Sequence, residues 1–443
     1  MTINSSRLLG RFLRYVQIDT TAADGSSSYP SSPGQLVLGK LLAEELREMG
    51  LKDVEHDSHG LVWATVPATV SNPMSVVAFN AHLDTSPETT GKNVHPHVVK
   101  NYQGGDIVLG TGAPAKRVGV PSGFTSSGSQ NPEPGAPPGS LNPLTIRVAD
   151  NPELKQLVGK TLVTTDGTTL LGADDKAGVA VIMELAHTLL EHPQIPHGPI
   201  RILFTCDEEI GHGIDHVDLK KLGATVCYTL DGSGAGEIDT ETFSADMAIA
   251  TIRGVNIHPS IAKGRMVNAL RAAAVFLDLL PKDRLCPEAT DGRDGFLHPF
   301  TIEGGVAEVK IKILLRDFVT ANLAAHAEAL KKAAQQAQEK LPGCSIDLKI
   351  TKQYRNMGEG LVKEPRAVAY AQEAHRRLRR EAKLTIIRGG TDGSQLTERG
   401  LPTPNLSTGE HNPHSPLEFT CLEELTAATE HLVQLVQVWA EKT

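Results

Sequence analysis

Residues 164–190 read TTDGTTLLGADDKAGVAVIMELAHTLL, and this stretch decides the class of fold. Apolar residues recur at helical spacing over 177–190, so we predict a helix that begins in a glycine-flanked acidic turn. The apolar runs 200–206 and 226–230 follow it and have the composition of buried strands. Buried strands that alternate with helices are typical of an α/β fold. We therefore predict a mixed, mostly parallel sheet flanked by helices.

The pattern changes between residues 238 and 352. There the order strand, helix, strand, strand, helix, strand predicts a small α+β domain. Because α/β signals return afterwards, we interpret this domain as an insertion. The predicted domains are a discontinuous α/β domain, 1–237 and 353–443, and the inserted domain, 238–352. Residues 111–140 are rich in Pro, Gly and Ser and predict a long surface loop.

Residues 32–35, near the N-terminus, have the pattern of a helix start. Ser32 can cap a helix, Pro33 suits the first helical position, and Gln35 would complete a capping box. Leucines then recur at helical spacing as far as Gly50, a residue that commonly ends helices. We predict a helix between these points.

The composition excludes several classes of protein. Of the 443 residues, 40% are hydrophobic and 21% charged, which is typical of a globular protein. The formal net charge of −9 argues against nucleic acid or an anionic membrane as a partner. No apolar run approaches the roughly 18 residues of a membrane span. The five scattered cysteines form no CxxC pair, so we expect no disulfide framework and a cytoplasmic location.

Five short motifs carry acidic or histidine side chains, most of them directly after a predicted strand. The residues of interest are His82, Asp84, Asp174, Asp175, Glu208, Glu209, Asp231, His411 and His414. Each motif alone has an ordinary explanation, such as a structural histidine, helix N-terminal acids or a solvated turn. Together they supply the imidazole and carboxylate ligands of a two-zinc site, where ions about 3.5–4 Å apart can clamp water and a carbonyl oxygen. In the last motif, either histidine could be the ligand.

Several segments resemble the peptidase T family of tripeptide aminopeptidases, which are co-catalytic dizinc exopeptidases. They are residues 82–92, 101–110, 164–178, 257–270 and 387–393. The resemblance extends over nearly the whole chain, and the motif at 164–178 is long and specific. It implies that the discontinuous domain is a zinc-peptidase domain and that the inserted domain is its lid. The loop at 111–140 is longer than this family leads us to expect.

The resemblance also implies a set of ligands for two Zn²⁺ ions per subunit. His82 and Asp231 would bind the first ion. Glu209 and His414 would bind the second, and Asp174 would bridge both.

Further residues receive roles from the same resemblance. Asp84 would be the supporting acid, and Glu208 would be the general base that activates the water between the ions. His258 would be the lid histidine that approaches the reacting carbonyl. Arg388 would bind the substrate carboxylate with help from Arg316, for which a structural salt bridge is an equal alternative.

The resulting hypothesis is a dizinc metallo-aminopeptidase that hydrolyses small peptides and releases the N-terminal residue of tripeptides. A carboxypeptidase, a dipeptidase or an N-acyl amino acid deacylase could use the same metal centre. A peptide-binding scaffold without activity should have lost a ligand or the base, and this chain retains all of them. A homodimer is compatible with the sequence.

Overall fold

A computed structural model describes residues 2–71, 75–110 and 144–441, so the predicted loop at 111–140 lies outside the described residues. The helices within these ranges are α1 (Ser5–Val16), α2 (Pro33–Glu48), α3 (Ala173–Glu191), α4 (Leu219–Leu222), α5 (Ala269–Asp278), α6 (Asn322–Lys340), α7 (Gly358–Leu361), α8 (Arg366–Arg377), α9 (Asp392–Glu398) and α10 (Leu422–Glu441). The strands are β1 (Val54–His56), β2 (Val62–Val66), β3 (Val77–His82), β4 (His97–Val99), β5 (Ile107–Val108), β6 (Thr145–Ile146), β7 (Leu162–Thr164), β8 (Ile200–Thr205), β9 (Val226–Ser233), β10 (Glu237–Thr242), β11 (Ser244–Arg253), β12 (Phe296–Gly304), β13 (Glu308–Asp317), β14 (Ser345–Tyr354), β15 (Lys383–Ile387), β16 (Asn405–His411) and β17 (Phe419–Cys421).

Two compact units make up the chain. The first comprises Met1–Ile238, Arg366–Lys383 and Asn405–Thr443, and the second comprises Asp239–Pro365 and Leu384–Pro404. The second unit is therefore larger than the insertion predicted at 238–352. Residues 384–404 join it from a distant part of the sequence, and their strand β15 pairs with β10.

The first unit is built on a mixed sheet, as predicted. Its strand order is β1-β2-β8-β3-β9-β16-β17-β7-β4. The four central strands, β8, β3, β9 and β16, are parallel to their neighbours within this group. The outer pairings are antiparallel, so the parallel part of the sheet is smaller than we expected. Strand β3 is buried along its whole length, as central parallel strands covered by helices require.

Helix α3 is the centre of this unit, and apolar side chains bury it almost completely. Glu184, in its C-terminal half, has no exposed side-chain surface and is paired with Arg7 and Arg11 of α1 at 2.7 and 2.6 Å. A buried carboxylate is costly unless it is paired and hydrogen-bonded, and these two arginines meet that need. They also tie α1 to α3.

Helices α8 and α10 pack together through two stacked histidines. The ring centroids of His375 and His431 lie 3.7 Å apart with an angle of 18° between the planes. Nε2 of His431 lies 2.9 Å from the carbonyl oxygen of Ala371, to which it donates. Burial, together with the positive charge of Arg380, lowers the pKa of His375 to about 4. Burial and the neighbouring His375 lower the pKa of His431 to about 3.

We expect this histidine pair to make the first unit sensitive to acid. In the unfolded chain both rings bind a proton near pH 6.5, whereas in the folded unit they stay neutral to much lower pH. The free energy of unfolding is therefore at its full value above pH 6.5 and falls as the pH drops towards 4. Between pH 6.5 and 5 the loss is up to about 2 kcal/mol for each histidine. Urea unfolding at pH 7 and pH 5 measures it.

A matched pair of variants tests the cause. His375→Phe keeps an aromatic ring in the stack but cannot bind a proton, so its loss of stability between pH 7 and 5 should be smaller. His212 is exposed, and His212→Gln should behave like the wild type. Equal pH dependence in the wild type and His375→Phe would contradict the explanation.

The second unit contains a four-stranded antiparallel sheet in the order β12-β13-β11-β14. Helices α5 and α6 pack against it around a separate apolar core. The order of its elements, β11-α5-β12-β13-α6-β14, confirms the predicted strand and helix pattern. None of the helices in the described parts of the chain combines the length and the apolar character of a membrane span.

Candidate metal centre

The carboxyl ends of the four parallel strands carry the candidate ligands. His82 ends β3, and Asp231 lies near the end of β9. Glu209 and His414 lie in the loops that follow β8 and β16. Asp174 stands at the start of α3, where its backbone departs from helical geometry. Because parallel neighbours end at one edge of the sheet, these side chains converge.

The carboxylate of Asp174 lies between two histidines. Its Oδ1 is 2.9 Å from Nε2 of His82, and its Oδ2 is 3.1 Å from Nε2 of His414. A further carboxylate approaches each ring: Oδ1 of Asp231 is 3.9 Å from the same nitrogen of His82, and Oε2 of Glu209 is 2.9 Å from that of His414. The site thus consists of two histidine–carboxylate groups that share Asp174.

Proton affinities at this site are strongly coupled. Burial on its own would lower the pKa of His82, but hydrogen bonds to Asp174 and Asp84 outweigh it and raise that pKa well above 6.5. Burial likewise opposes the rise of the His414 pKa to about 11, which hydrogen bonds to Asp174 and Glu209 cause. Burial and the charge of Asp174 raise the pKa of Glu209 to about 7. Carboxylates this close together repel one another when they are ionised, so positive charge beside them stabilises the site.

The residues present fit divalent metal ions. Oε1 of Glu209 is buried without a hydrogen-bond partner among the described residues, which is costly for a carboxylate unless a cation contacts it. Imidazole nitrogens with carboxylate oxygens are a ligand set that zinc accepts. Within residues 2–71, 75–110 and 144–441, three triplets have possible ligand atoms within 4.8 Å of one another: His82–Asp175–Asp231, His82–Asp174–Glu209 and Asp174–Asp231–Glu410.

The two adjacent aspartates do different things. Asp175 is fully buried, and its carboxylate accepts the backbone N–H groups of His82 and Gly178, both at 3.1 Å. It therefore caps α3 and holds β3 against the helix, while Asp174 faces the histidine side chains. The helix-end explanation suits Asp175, and the metal explanation suits Asp174. The peptide bond between the two is cis.

The two histidines of the last motif also separate. Nε2 of His411 lies 2.8 Å from Oε2 of Glu424, and its ring stacks on Phe419 with centroids 4.5 Å apart. His411 is thereby engaged away from the other ligands, whereas His414 contacts Asp174. The geometry favours His414 as the ligand.

Asp84 connects one histidine ligand to the acidic turn. Its Oδ1 lies 3.4 Å from Nδ1 of His82. Its two carboxylate oxygens accept the backbone N–H groups of Glu208 and Glu209, each at 3.0 Å. Asp84 is fully buried, so these contacts hold the turn and the imidazole in a common frame.

Two buried acids at the site were not singled out from the sequence. Glu418 accepts the N–H groups of Leu171 and Gly172 at 2.7 and 2.8 Å and that of Asp174 at 3.0 Å, so it shapes the turn that presents Asp174. Glu410 belongs to one of the ligand triplets. Its place in the last motif was the one available signal for Glu410, because its neighbours there are histidines.

The predicted substrate residues lie in the second unit. Nδ1 of His258 lies 2.7 Å from the hydroxyl oxygen of Ser260 and 3.3 Å from the backbone nitrogen of the same residue. Arg388 donates to oxygens of the segment 290–294 at 2.9–3.4 Å. Arg316 is mostly buried and donates to two backbone carbonyl oxygens at 3.1 and 3.2 Å. Both arginines therefore have structural partners within their own unit.

A carboxylate shared by two histidines, at the strand ends of an α/β sheet, is an arrangement that suits a metal-dependent hydrolase. Residues 165–438 match the family model described as peptidase family M20/M25/M40. The chain belongs to this family and is a peptidase.

Similar proteins agree with this assignment. Relatives named Peptidase T from Geobacillus kaustophilus and Listeria monocytogenes are each 40% identical over 435 residues, covering 98% of this chain and 98% and 99% of their own. Among solved structures, the aminopeptidase PepT from Bacillus cereus aligns with a TM-score of 0.69 at 23% identity, covering 99% of this chain and all of that one. A tripeptidase from Staphylococcus aureus aligns with a TM-score of 0.72 at 22% identity, with the same coverage. These two structures share the fold.

Proposed function

We propose that this protein is a dizinc aminopeptidase that removes the N-terminal residue from tripeptides. One observation carries the proposal: each oxygen of Asp174 faces a different histidine, and each histidine is approached by a further carboxylate. The 40% identity to relatives named Peptidase T over almost the full length supports the choice of reaction.

The proposed ligands are those that the family resemblance implies, and the distances between their side chains support them. His82 and Asp231 would hold one zinc ion, Glu209 and His414 the other, and Asp174 would bridge them. When bound, two zinc ions supply Lewis acidity that polarises a carbonyl oxygen and makes water a better nucleophile.

The side chains of this chain carry out the proton transfers. Glu208 would take a proton from the attacking water and pass it to the amine that leaves. Asp84 would hold the backbone of Glu208 and the ring of His82 in place. His258 would donate a hydrogen bond to the reacting carbonyl oxygen.

A set of matched peptides tests the proposal. Purified protein loaded with zinc is incubated with di-, tri- and tetrapeptides that are free or blocked at each end, and the products are identified by mass. We expect rapid release of the N-terminal residue from free tripeptides and little from peptides blocked at the N-terminus. Release of the C-terminal residue would indicate a carboxypeptidase, and cleavage of acylated amino acids alone would indicate a deacylase.

Arg388 is our candidate for reading the far end of the tripeptide. A guanidinium binds carboxylate through a planar pair of hydrogen bonds. For this, Arg388 must exchange bonds to the segment 290–294 for bonds to substrate. The wild type should prefer free tripeptides to their C-terminal amides by about tenfold or more in kcat/KM, and Arg388→Ala should lose that preference. Arg316→Ala serves as the comparison. If Arg388→Ala still discriminates acid from amide, another group reads the carboxylate.

A further inference from the structure

The acidic turn that carries Glu208 is held by three successive backbone N–H groups. The N–H of Asp207 donates to Oε1 of Gln35 at 3.0 Å. Those of Glu208 and Glu209 donate to the two oxygens of Asp84, each at 3.0 Å. Asp84 already has a role in the proposed site, but Gln35 and Asp207 have none.

Gln35 and Asp207 contact each other in both directions. Besides accepting from the Asp207 backbone, Gln35 donates through Nε2 to Oδ1 of Asp207 at 2.6 Å. Ser31 adds a backbone N–H to Oδ2 at 2.6 Å and a hydroxyl to Oδ1 at 2.5 Å. Both side chains of the pair are buried, with exposures of 0% and 1%. The carboxylate therefore receives three hydrogen bonds from the segment that starts α2.

These contacts replace the capping box that the sequence predicts. Ser32 does occupy the position before α2, but its side chain makes no capping hydrogen bond. Gln35 is turned instead towards Asp207 across the unit. The capping prediction was wrong because the buried carboxylate of Asp207 offers Gln35 a stronger, charged partner.

The backbone conformation of Asp207 explains why the turn needs these hydrogen bonds. Its φ of +62° lies in the left-handed region, which costs a residue other than glycine on the order of 1 kcal/mol. In return, successive N–H groups of such a turn point into one concavity that binds an anion, here the carboxylate of Asp84. A relaxed turn would lose this alignment and move Glu208 with it.

We propose that Gln35 and Asp207 are positioning residues that keep Glu208 aligned as the general base. This inference rests on the proposed function, in which Glu208 accepts the proton. The hydrogen bonds of the pair join the segment that starts α2 to the turn, so the pair would act on Glu208 through the turn. A misplacement of about 1 Å at a catalytic group can cost on the order of 100-fold in rate. Loss of the pair should therefore lower kcat and leave KM and metal content nearly unchanged.

Three variants and one control test this. Gln35→Met removes both bonds to Asp207 with little change of volume, and Asp207→Asn removes the charged acceptor. The double variant Gln35→Glu with Asp207→Asn exchanges the carboxylate and the amide, so that one donor again faces one acceptor. Tyr15→Phe removes a partly buried hydrogen bond from the fully buried Tyr15 of α1 to Glu45, near the end of α2 that is distant from the turn.

We expect kcat for a free tripeptide to fall about tenfold or more in each single variant, with two zinc ions retained per chain and KM within about twofold. The double variant should recover most of the lost kcat, because the two substitutions compensate each other. Tyr15→Phe should lower the melting temperature but leave kcat unchanged. Each kcat is divided by the folded fraction of the protein, which circular dichroism measures. A variant that folds poorly can therefore still be compared with the wild type.

Two results would overturn the inference. One is a kcat in Gln35→Met equal to that of Tyr15→Phe. The other is a loss of zinc in proportion to the loss of kcat, which would mean that the pair supports the ligand Glu209 instead of the base. Neither result touches the proposed function. The proposed function would be contradicted by different results, namely a wild type that binds no zinc or a Glu208→Gln variant that keeps full activity.

Discussion

Replacing Glu208 with glutamine should abolish peptide hydrolysis and leave both metal ions bound. The amide has nearly the shape of the carboxylate but cannot accept a proton, and a general base contributes typically about 10²–10⁴-fold to the rate. Glu208 belongs to none of the ligand triplets found in the described residues, and its backbone N–H stays bonded to Asp84. Metal per chain, measured by plasma mass spectrometry, and kcat on one tripeptide separate the two effects.

Glu209→Gln is the matched control in the same turn. Glu209 contacts His414 and has a buried oxygen with no hydrogen-bond partner in the part of the chain that the structure describes, so this variant should lose metal as well as activity. If Glu208→Gln loses the metal and Glu209→Gln keeps it, the roles of the two neighbouring acids are reversed.

His414→Ala should remove one of the two metal ions and nearly all activity, whereas His411→Ala should keep both ions. The reason is geometric, because Nε2 of His414 lies within 3.1 Å of both Asp174 and Glu209. His411 instead bonds to Glu424 and stacks on Phe419. Zinc titration by calorimetry, with activity measured on the same samples, gives both readouts.

His411→Ala is expected to lower the stability of the fold. Removing His411 leaves the buried carboxylate of Glu424 without its imidazole partner, which costs about 1–3 kcal/mol in the free energy of unfolding. Loss of zinc in His411→Ala together with retention of zinc in His414→Ala would show that His411 is the ligand.

Most of the candidate ligands could be predicted because their signals are local. His82, Asp231 and Glu209 each lie at the end of a strand or just beyond it, and the strands are recognisable from their apolar runs. Asp174 could be predicted from the glycine-flanked turn that precedes an apolar helix.

Other features depended on partners far away in the chain. Gln35 matches a capping box in its own segment, yet its strongest partner is Asp207, 172 residues later. Glu418 holds the turn before Asp174 from 244 residues away. The boundary of the second unit likewise depends on the pairing of β15 with β10. None of these contacts leaves a periodic pattern in the sequence.

The sequence by itself determined the class of fold, the order of strands and helices in the inserted domain and the types of side chain available for chemistry. Hydrophobic periodicity and turn residues act over a few positions, so the sequence shows them directly. The family resemblance already implied Asp174 and His414 as ligands, but only the tertiary structure shows how each differs in its contacts from its chemically equal neighbour, Asp175 or His411. The two members of each pair have the same side chain, so the path of the backbone makes the difference: it turns Asp174 and His414 towards each other, whereas Asp175 accepts a backbone N–H group and His411 pairs with Glu424.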